Sequence, residues 1–157
     1  MKNYFYVLAL LTLISSCGAK SDASDSYDIN KPSDSGESIV SASQKVDLEN
    51  KGVGPIKEVA LSEAIDEDLA RTGEGLYKQH CTICHKTDAV FIGPPPKDIL
   101  KRRSPEWVMN MILAPGRMLR DDPLAKELFL EFNGSPMANQ GLNQDEARAI
   151  LEFFRTL

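Results

Sequence analysis

Five consecutive residues near the middle of the chain carry the clearest chemistry in the sequence. Cys81-Thr82-Ile83-Cys84-His85 is a C-x-x-C-H pentapeptide. Two thiols one helical turn apart can each add to a vinyl group of haem, and the adjacent histidine can then donate a ring nitrogen to the iron. We therefore predict that Cys81 and Cys84 form thioether bonds to one haem c and that His85 is an axial ligand of its iron.

Three other chemistries use the same residue types. A zinc site needs about four ligands, and the pentapeptide supplies three, with His80 as an awkwardly placed fourth. A thioredoxin-like redox pair would sit at a strand-to-helix turn, and no strand signal precedes Cys81. A disulfide between Cys81 and Cys84 would leave His85 without a role. Covalent haem attachment is the interpretation that uses all three residues.

The segments around the pentapeptide are predicted to be helices, because capping residues precede runs with apolar residues at helical spacing. The predicted starts are Asp66, Ser104-Pro105, Asp122-Pro123 and Asn143, the last with Glu146 three residues on as in a capping box. The first helix should run from Glu67 to about His80. With no hairpin signal and no alternating run, the predicted fold class is all-α, with about four to five helices around one covalently bound haem.

A second axial ligand should come from a methionine, since a thioether sulfur suits haem iron and raises its reduction potential. Met109 and Met111 fall on a continuous helix, where methionine usually packs. Met118 is predicted to lie in a loop from Pro115 to Asp122 and is a weak candidate. Met137 lies in an irregular loop just before the last helix, which can present a thioether without disturbing a helix.

Further residues at set distances from the pentapeptide complete a pattern. They are Gly73, Leu76 and Tyr77 before it, Gly93-Pro94 after it, Met137, and a final helix from Glu146 to Leu157. This pattern resembles that of class I cytochromes c and covers residues 66–157. The resemblance implies the cytochrome c fold, in which the first and last helices cross and a glycine, here Gly73, permits their close approach.

The resemblance also implies roles for residues on both sides of the haem. Met137 would be the distal axial ligand opposite His85. The carbonyl of Pro94 would accept a hydrogen bond from the other ring N–H of His85 and fix the orientation of the ring. Pro95 or Pro96 could supply that carbonyl instead.

The beginning of the chain, residues 1–16, is typical of a lipoprotein signal peptide. Lys2 supplies the positive charge, and the apolar stretch after it is shorter than the roughly 18 residues that a bilayer-spanning helix requires. The run from Leu13 to Cys17 resembles the lipobox of bacterial lipoproteins, so Cys17 is predicted to be lipidated. An ordinary signal peptide followed by an incidental cysteine is the alternative.

Composition divides the rest of the chain. Residues 17–51 are predicted to be the lipid anchor and a flexible acidic tether, and residues 52–157 the cytochrome c domain, with a helical core from about residue 66. The chain has a net charge of −5, and five lysines face ten Asp and Glu between residues 18 and 66. This acidity argues against nucleic acid as a partner. Whether residues 52–61 pack on the domain is left open.

One local basic cluster consists of Lys97, Lys101, Arg102 and Arg103. A solvated face is the simpler interpretation of such a run. The alternatives are a rim that docks a partner protein, or charge partners for the haem propionates. Trp107, which follows soon after, is expected to lie in the core.

These features predict a monomeric mono-haem cytochrome that carries single electrons and is not an enzyme. It would be lipid-anchored on the periplasmic side of a bacterial membrane, and Gly18 after Cys17 slightly favours the outer membrane. Its partners would be a quinol-oxidising complex and a terminal oxidase or periplasmic reductase such as nitrous-oxide reductase. The alternative is a haem-based gas sensor or weak peroxidase, in which the distal ligand is easily displaced.

Overall fold

A computed structural model describes residues 40–157, and the predicted signal peptide, Cys17 and most of the predicted tether lie outside the described residues. Its α-helices are α1 (Glu67–His80), α2 (Pro105–Leu113), α3 (Pro115–Asp121), α4 (Pro123–Glu131) and α5 (Gln144–Phe154), with a short 3-10 helix at Ile99–Lys101. Between residues 40 and 157 the only β-type pairing is an isolated bridge from Asp47 to Arg103. The predicted all-α class is confirmed. None of these helices is long and apolar enough to cross a membrane.

Side-chain caps begin four of the helices where the sequence predicted them. The Asp66 carboxylate accepts hydrogen bonds from the first backbone N–H groups of α1, and the Ser104 hydroxyl does the same for α2. Asp122 caps α4, and Asn143 forms a reciprocal capping box with Glu146 at the start of α5. Each cap satisfies N–H groups that have no partner inside the helix, which is why the sequence marks these starts so clearly.

The predicted loop from Pro115 to Asp122 is wrong, because residues Pro115–Asp121 form α3. Proline is favourable at the first position of a helix. Pro115 therefore begins α3, and the Pro115-Gly116 pair does not form a turn. The helix buries Met118 completely, and the Met118 sulfur accepts a hydrogen bond from the Val53 backbone N–H at 3.0 Å. Met118 is therefore a core residue and does not line the cavity beside the pentapeptide.

The crossing of α1 and α5 positions the pentapeptide, which follows directly after α1. A Cβ atom at Gly73 would collide with the backbone carbonyl of Ala149, so only glycine permits this close approach. One turn later, the ring of Tyr77 packs on those of Phe153 and Phe154, with centroids 5.4 and 5.7 Å away. The helix crossing that the resemblance implied is confirmed.

The segment before α1 packs against other helices, and we call residues 40–61 the strap. The buried amide of Asn110 bonds the strap backbone three times, at Ile56 N–H (2.9 Å), the Ile56 carbonyl (2.9 Å) and the Lys51 carbonyl (2.9 Å). Residues 52–61, whose placement the sequence left open, therefore pack on the domain. Val59 adds a further contact, because its N–H donates to the buried Glu106 carboxylate at 3.3 Å.

The strap extends further towards the N-terminus than the predicted domain start at residue 52. Asn50 donates to the carboxylate of Asp122 at 2.8 Å, and Ser43 donates through its backbone N–H to Glu131 at 2.8 Å. The hydrogen bonds that hold residues 40–51 come largely from their backbone and polar side chains. Composition therefore assigned residues 40–51 to the tether, although they contact α2, α4 and their caps.

Candidate functional site

The pentapeptide forms the turn that ends α1. Cys81 is the C-terminal cap of the helix, and its carbonyl accepts hydrogen bonds from the N–H groups of Cys84 at 3.0 Å and His85 at 2.9 Å. This tight turn places the two thiols and the imidazole on one wall of the same cavity. Neither Cys81 nor Cys84 forms a disulfide in the structure.

Three contacts hold His85 in place, two at its ring and one at its backbone. Its Nδ1 lies 2.8 Å from the carbonyl oxygen of Pro94, and Gly93 lies so close to the ring that a Cβ there would be 2.8 Å from Nδ1. On the backbone side, the Tyr77 hydroxyl donates to the His85 carbonyl at 3.0 Å. A carbonyl can only accept, so Nδ1 carries the proton and Nε2 keeps its lone pair for a metal.

Burial sets the protonation of the groups around this turn. Burial, with a smaller contribution from Cys81, raises the pKa of Tyr77 to about 12, so the Tyr77 hydroxyl stays protonated and can donate. Burial and the neighbouring Cys84 raise the pKa of the Cys81 thiol to about 11. A redox-active cysteine instead requires a lowered pKa, because the thiolate is the reactive form. The thioredoxin-like alternative is therefore disfavoured.

The zinc alternative also lacks its ligands. Within residues 40–157, no group of three or more His, Cys, Asp and Glu side chains is arranged to hold a metal ion. Zinc in a structural site takes four protein ligands. The pentapeptide therefore suits a cofactor that supplies most of the iron ligands itself, as a porphyrin does.

The cavity beside the pentapeptide has a volume of about 1190 Å³, counting the part that opens to solvent. Most of its lining is apolar, with side chains from α2, α3 and α4. Cys81, Cys84 and His85 lie on one side of the lining, and Met137 also contributes to it. A largely apolar cavity lined by two cysteines and a histidine suits a flat, largely apolar macrocycle that is attached through the thiols.

Met137 lies in the loop between α4 and α5, as the sequence predicted. Residues 133–141 are exposed apart from Met137, which is half-buried and packs against the edge of the core. Among residues 40–157, no hydrogen bond joins residues 136–142 to the chain outside that segment. The loop thus holds Met137 by apolar contact.

The basic cluster splits into two pairs. Lys97 and Lys101 are exposed, and Lys101 pairs with Asp98 at 2.8 Å. Arg102 is half-buried and Arg103 is only 1% exposed, and both line the cavity. The solvated face expected from the sequence therefore holds only for the two lysines. Trp107 is 4% exposed and lies in the core as expected.

The sequence did not predict which residues support the helices that line the cavity. The strap, Asn110 and Asp122 were not singled out for this role, although Asp122 receives a hydrogen bond from the indole N–H of Trp107 at 3.2 Å. One signal was present, because Asn110 is a polar residue within the otherwise apolar run Trp107 to Leu113. A buried amide needs hydrogen-bond partners, which here come from the strap.

Comparison with known proteins gives one consistent result. No protein-family model and no curated protein matches the chain. Among solved structures, the chain is similar to cytochrome c from Rhodothermus marinus, with 45% identity and a TM-score of 0.64. The match covers 66% of this chain and 88% of that one.

Two further matches are engineered forms of the Rhodothermus marinus protein. An engineered cytochrome c from that organism, Rma TDE, is 44% identical with a TM-score of 0.63, and 66% of this chain and 89% of that chain are covered. The same engineered protein bound to a carbene intermediate is 44% identical with a TM-score of 0.61, and the coverage is 66% and 88%.

Proposed function

This chain belongs to the cytochrome c family and has one covalently bound haem c as its cofactor, and from that premise we propose that it is a one-electron carrier with His85 and Met137 as its axial iron ligands. Cys81 and Cys84 would supply the two thioether bonds. One observation carries the proposal: both cysteines, His85 and Met137 line the same cavity.

The proposed ligand set accounts for electron transfer in preference to catalysis at the iron. The His85 imidazole and the Met137 thioether would hold the haem iron and leave it no site for a substrate, so the haem would supply one-electron transfer there. The protein contributes a fixed imidazole, an apolar surrounding and a tuned potential. The hydrogen bond at 2.8 Å between His85 Nδ1 and the Pro94 carbonyl supports the imidazole assignment.

The absorption spectrum of the purified protein tests this ligand set. We expect a low-spin ferric spectrum with the weak near-red band of a methionine–iron bond, and a reduced spectrum that added carbon monoxide leaves unchanged. A high-spin ferric spectrum without the near-red band would contradict ligation by Met137. An intact-protein mass without the added haem would contradict the proposal as a whole.

A second candidate function, as a gas sensor or weak peroxidase, is favoured by one observation. Within the described residues, the part of the loop that carries Met137, residues 136–142, makes no hydrogen bond to the rest of the domain. A ligand held in this way can leave the iron more readily than one whose loop is hydrogen-bonded. Immediate binding of carbon monoxide by the reduced protein, together with peroxide-dependent oxidation of a dye, would favour this function over electron transfer.

Membrane attachment through Cys17 is a further part of the proposal. The lipobox-like run from Leu13 to Cys17 supports a bacterial lipoprotein on the periplasmic side of a membrane, and Gly18 slightly favours the outer membrane. Cys17→Ser should release a soluble protein that is still red. Loss of haem from that variant would contradict the assignment of Cys17 to lipid and of the other two cysteines to haem.

The proposed partners are redox proteins at the same membrane. A quinol-oxidising complex would donate electrons, and a terminal oxidase or a periplasmic reductase such as nitrous-oxide reductase would accept them. A monomeric carrier held near such partners meets them at a raised effective concentration. Reduction and reoxidation by isolated membranes, with and without inhibitors of each complex, would identify donor and acceptor.

A further inference from the structure

The loop that follows the pentapeptide carries three consecutive exposed apolar residues, Val90-Phe91-Ile92. Together with Ile83 inside the pentapeptide we call them the apolar face, and these residues are between 47% and 75% exposed. No other run of three exposed large apolar residues occurs in residues 40–157. Scattered apolar residues are common on protein surfaces, whereas a group of them beside one another indicates an interaction site.

Backbone hydrogen bonds fasten this loop to the pentapeptide. The Gly93 N–H donates to the Cys84 carbonyl at 2.9 Å, and the Phe91 N–H donates to the Gly93 carbonyl at 3.2 Å. Ile92 and Ile83 each precede a residue of the first bond, so that bond brings the two parts of the apolar face together. The exposure of these side chains is therefore a feature of the folded state and not of a frayed end.

The apolar face borders the haem cavity. Ile92 lines that cavity together with Cys81 and Cys84, and Ile83 stands between the two cysteines in the sequence. A protein that covered the apolar face would therefore approach the edge of the covalently attached haem. Such an approach is what electron transfer requires, because its rate falls steeply with distance.

The charges around the apolar face are few and mostly positive. Lys86 Nζ lies 4.8 Å from the centroid of the Phe91 ring, and between residues 86 and 97 the other charged side chains are Lys97 and Asp88. None of the three forms an ion pair within residues 40–157. An apolar surface with a net positive rim is complemented by an apolar surface with carboxylates at its edge.

We propose that the apolar face docks a redox protein whose contact surface is apolar around its own cofactor and carries carboxylates at the rim. In the complex one electron would pass from the reduced cofactor of the partner to the ferric haem, and no covalent bond or proton would move. Apolar contact would supply most of the affinity, and Lys86 would orient the partner. The inference rests on the proposed function, because a carrier must meet a donor.

The test measures the second-order rate at which isolated membranes, supplied with a quinol, reduce the haem-loaded full-length protein. Every form carries Cys17→Ser, so that no lipid fixes the encounter. We expect Phe91→Ser to lower this rate about tenfold, because aromatic residues carry much of the binding energy of an interface. Reduction by ascorbate and the methionine–iron band should stay unchanged, since ascorbate needs no docking surface.

Leu130→Ser is the matched control. Leu130 is an exposed apolar residue as well, but it lies on α4, which packs on α3 and not on α1 or the turn that ends it. Its replacement should leave the rate with membranes unchanged. An equal loss of rate in Leu130→Ser and Phe91→Ser would show that general surface polarity, and not the apolar face, controls the encounter.

Two charge changes at Val90 test the rim of the partner. Val90→Asp should slow reduction by membranes more than Val90→Lys, because carboxylates on the partner repel an added aspartate. The difference between these two variants should shrink at high salt, since exposed charges are screened. The loss of rate in Phe91→Ser should persist there, because it reflects lost apolar contact.

Several results would overturn the inference. These are an unchanged rate in Phe91→Ser, or equal rates for Val90→Asp and Val90→Lys at low salt. Two further results would assign the apolar face to another occupant. Adsorption to protein-free vesicles of phosphatidylglycerol and phosphatidylethanolamine that Phe91→Ser abolishes would indicate a membrane contact, and a dimer that the same variant dissociates in sedimentation would indicate a second copy of this chain.

The failure of this inference is distinguishable from failure of the proposed function. A protein with haem and a methionine–iron band, whose reduction by membranes does not depend on Phe91, would leave electron transfer intact and remove only the role of the apolar face. A protein without haem, or one that ascorbate reduces but membranes neither reduce nor reoxidise, would contradict the proposed function as well.

Discussion

The turn that carries His85 and the loop that carries Met137 hold the two proposed iron ligands in different ways. On the pentapeptide side, the His85 ring is fixed by the Pro94 carbonyl and by Gly93, and the His85 backbone is fixed by Tyr77 and the Cys81 turn. In the loop before α5, Met137 is half-buried, and among the described residues segment 136–142 makes no hydrogen bond outside itself.

This difference indicates that the fold would determine the geometry of His85, whereas the iron would determine that of Met137. The imidazole is prepared before any metal binds, because its ring orientation and tautomer are set by protein contacts. The thioether of Met137 would be held in its final position largely by the proposed iron–sulfur bond. Changes on the His85 side should therefore alter stability, and changes on the Met137 side should alter the spectrum and the potential.

The largest effect on the haem is expected at Met137. Met137→Ala should give a high-spin or water-ligated ferric haem with a lower potential and rapid carbon monoxide binding when reduced, with little loss of stability. Met118→Ala is the matched control, because removing a fully buried methionine costs about 2–5 kcal/mol and should leave the spectrum unchanged. A ligand loss in Met118→Ala, and none in Met137→Ala, would reverse the assignment of the distal ligand.

The next largest effect is expected at Gly93. In Gly93→Ala the added methyl group would collide with the His85 ring, and overpacking of this kind costs about 1–3 kcal/mol. Gly75 offers a control in α1, where an added Cβ meets nothing within 4 Å. Gly75→Ala should instead stabilise the protein by about 0.5–1 kcal/mol through helix propensity. Denaturant unfolding measures both, and equal effects would show that His85 is not tightly held.

A smaller effect is expected at Tyr77. Tyr77→Phe keeps the aromatic packing on α5 but removes the hydrogen bond to the His85 carbonyl, at a cost of about 1 kcal/mol. Thr82→Val serves as a control, since the exposed Thr82 hydroxyl bonds only the Lys78 carbonyl of its own turn. If thermal unfolding shows the two variants to be equally stable, the Tyr77 hydroxyl does not support the histidine.

The smallest effect is expected in the Met137 loop outside the ligand. Asn139 accepts a hydrogen bond from the Gly141 N–H at 2.9 Å within the loop. Because Asn139 is exposed and the contact is local, Asn139→Ala should change the stability by no more than about 0.5 kcal/mol. The methionine–iron band should also survive. A loss of that band would mean that the loop, and not the iron bond, positions the sulfur.

The parts of the fold that depend on local chemistry were predictable from the sequence. Asp66, Ser104, Asp122 and Asn143 mark helix starts because each cap is satisfied within a few residues. The resemblance predicted that α1 and α5 approach closely at Gly73, and the structure confirms it. On α5, Ala147, Ile150, Leu151 and Phe153 are buried, whereas Phe154 is half-buried.

The parts that depend on distant partners were not predictable. Arg103 looks like one member of a surface basic run, and only the strap carbonyls, about 60 residues earlier, show that it is buried. The same holds for Met118, whose sulfur is bonded by Val53, 65 residues away. No local pattern predicts such contacts, because residues 40–51 are nearly as polar as the tether that precedes them.

The position of the strap in the chain determines when it can close over the helices. Ser43 is made early, but its partner Glu131 comes 88 residues later. Contacts between such distant residues pay a loop-closure entropy and form after local ones. The haem-attachment turn at residues 81–85 lies between the two. The haem-attachment turn can therefore form while the strap side is still open, and the strap closes over the helices afterwards.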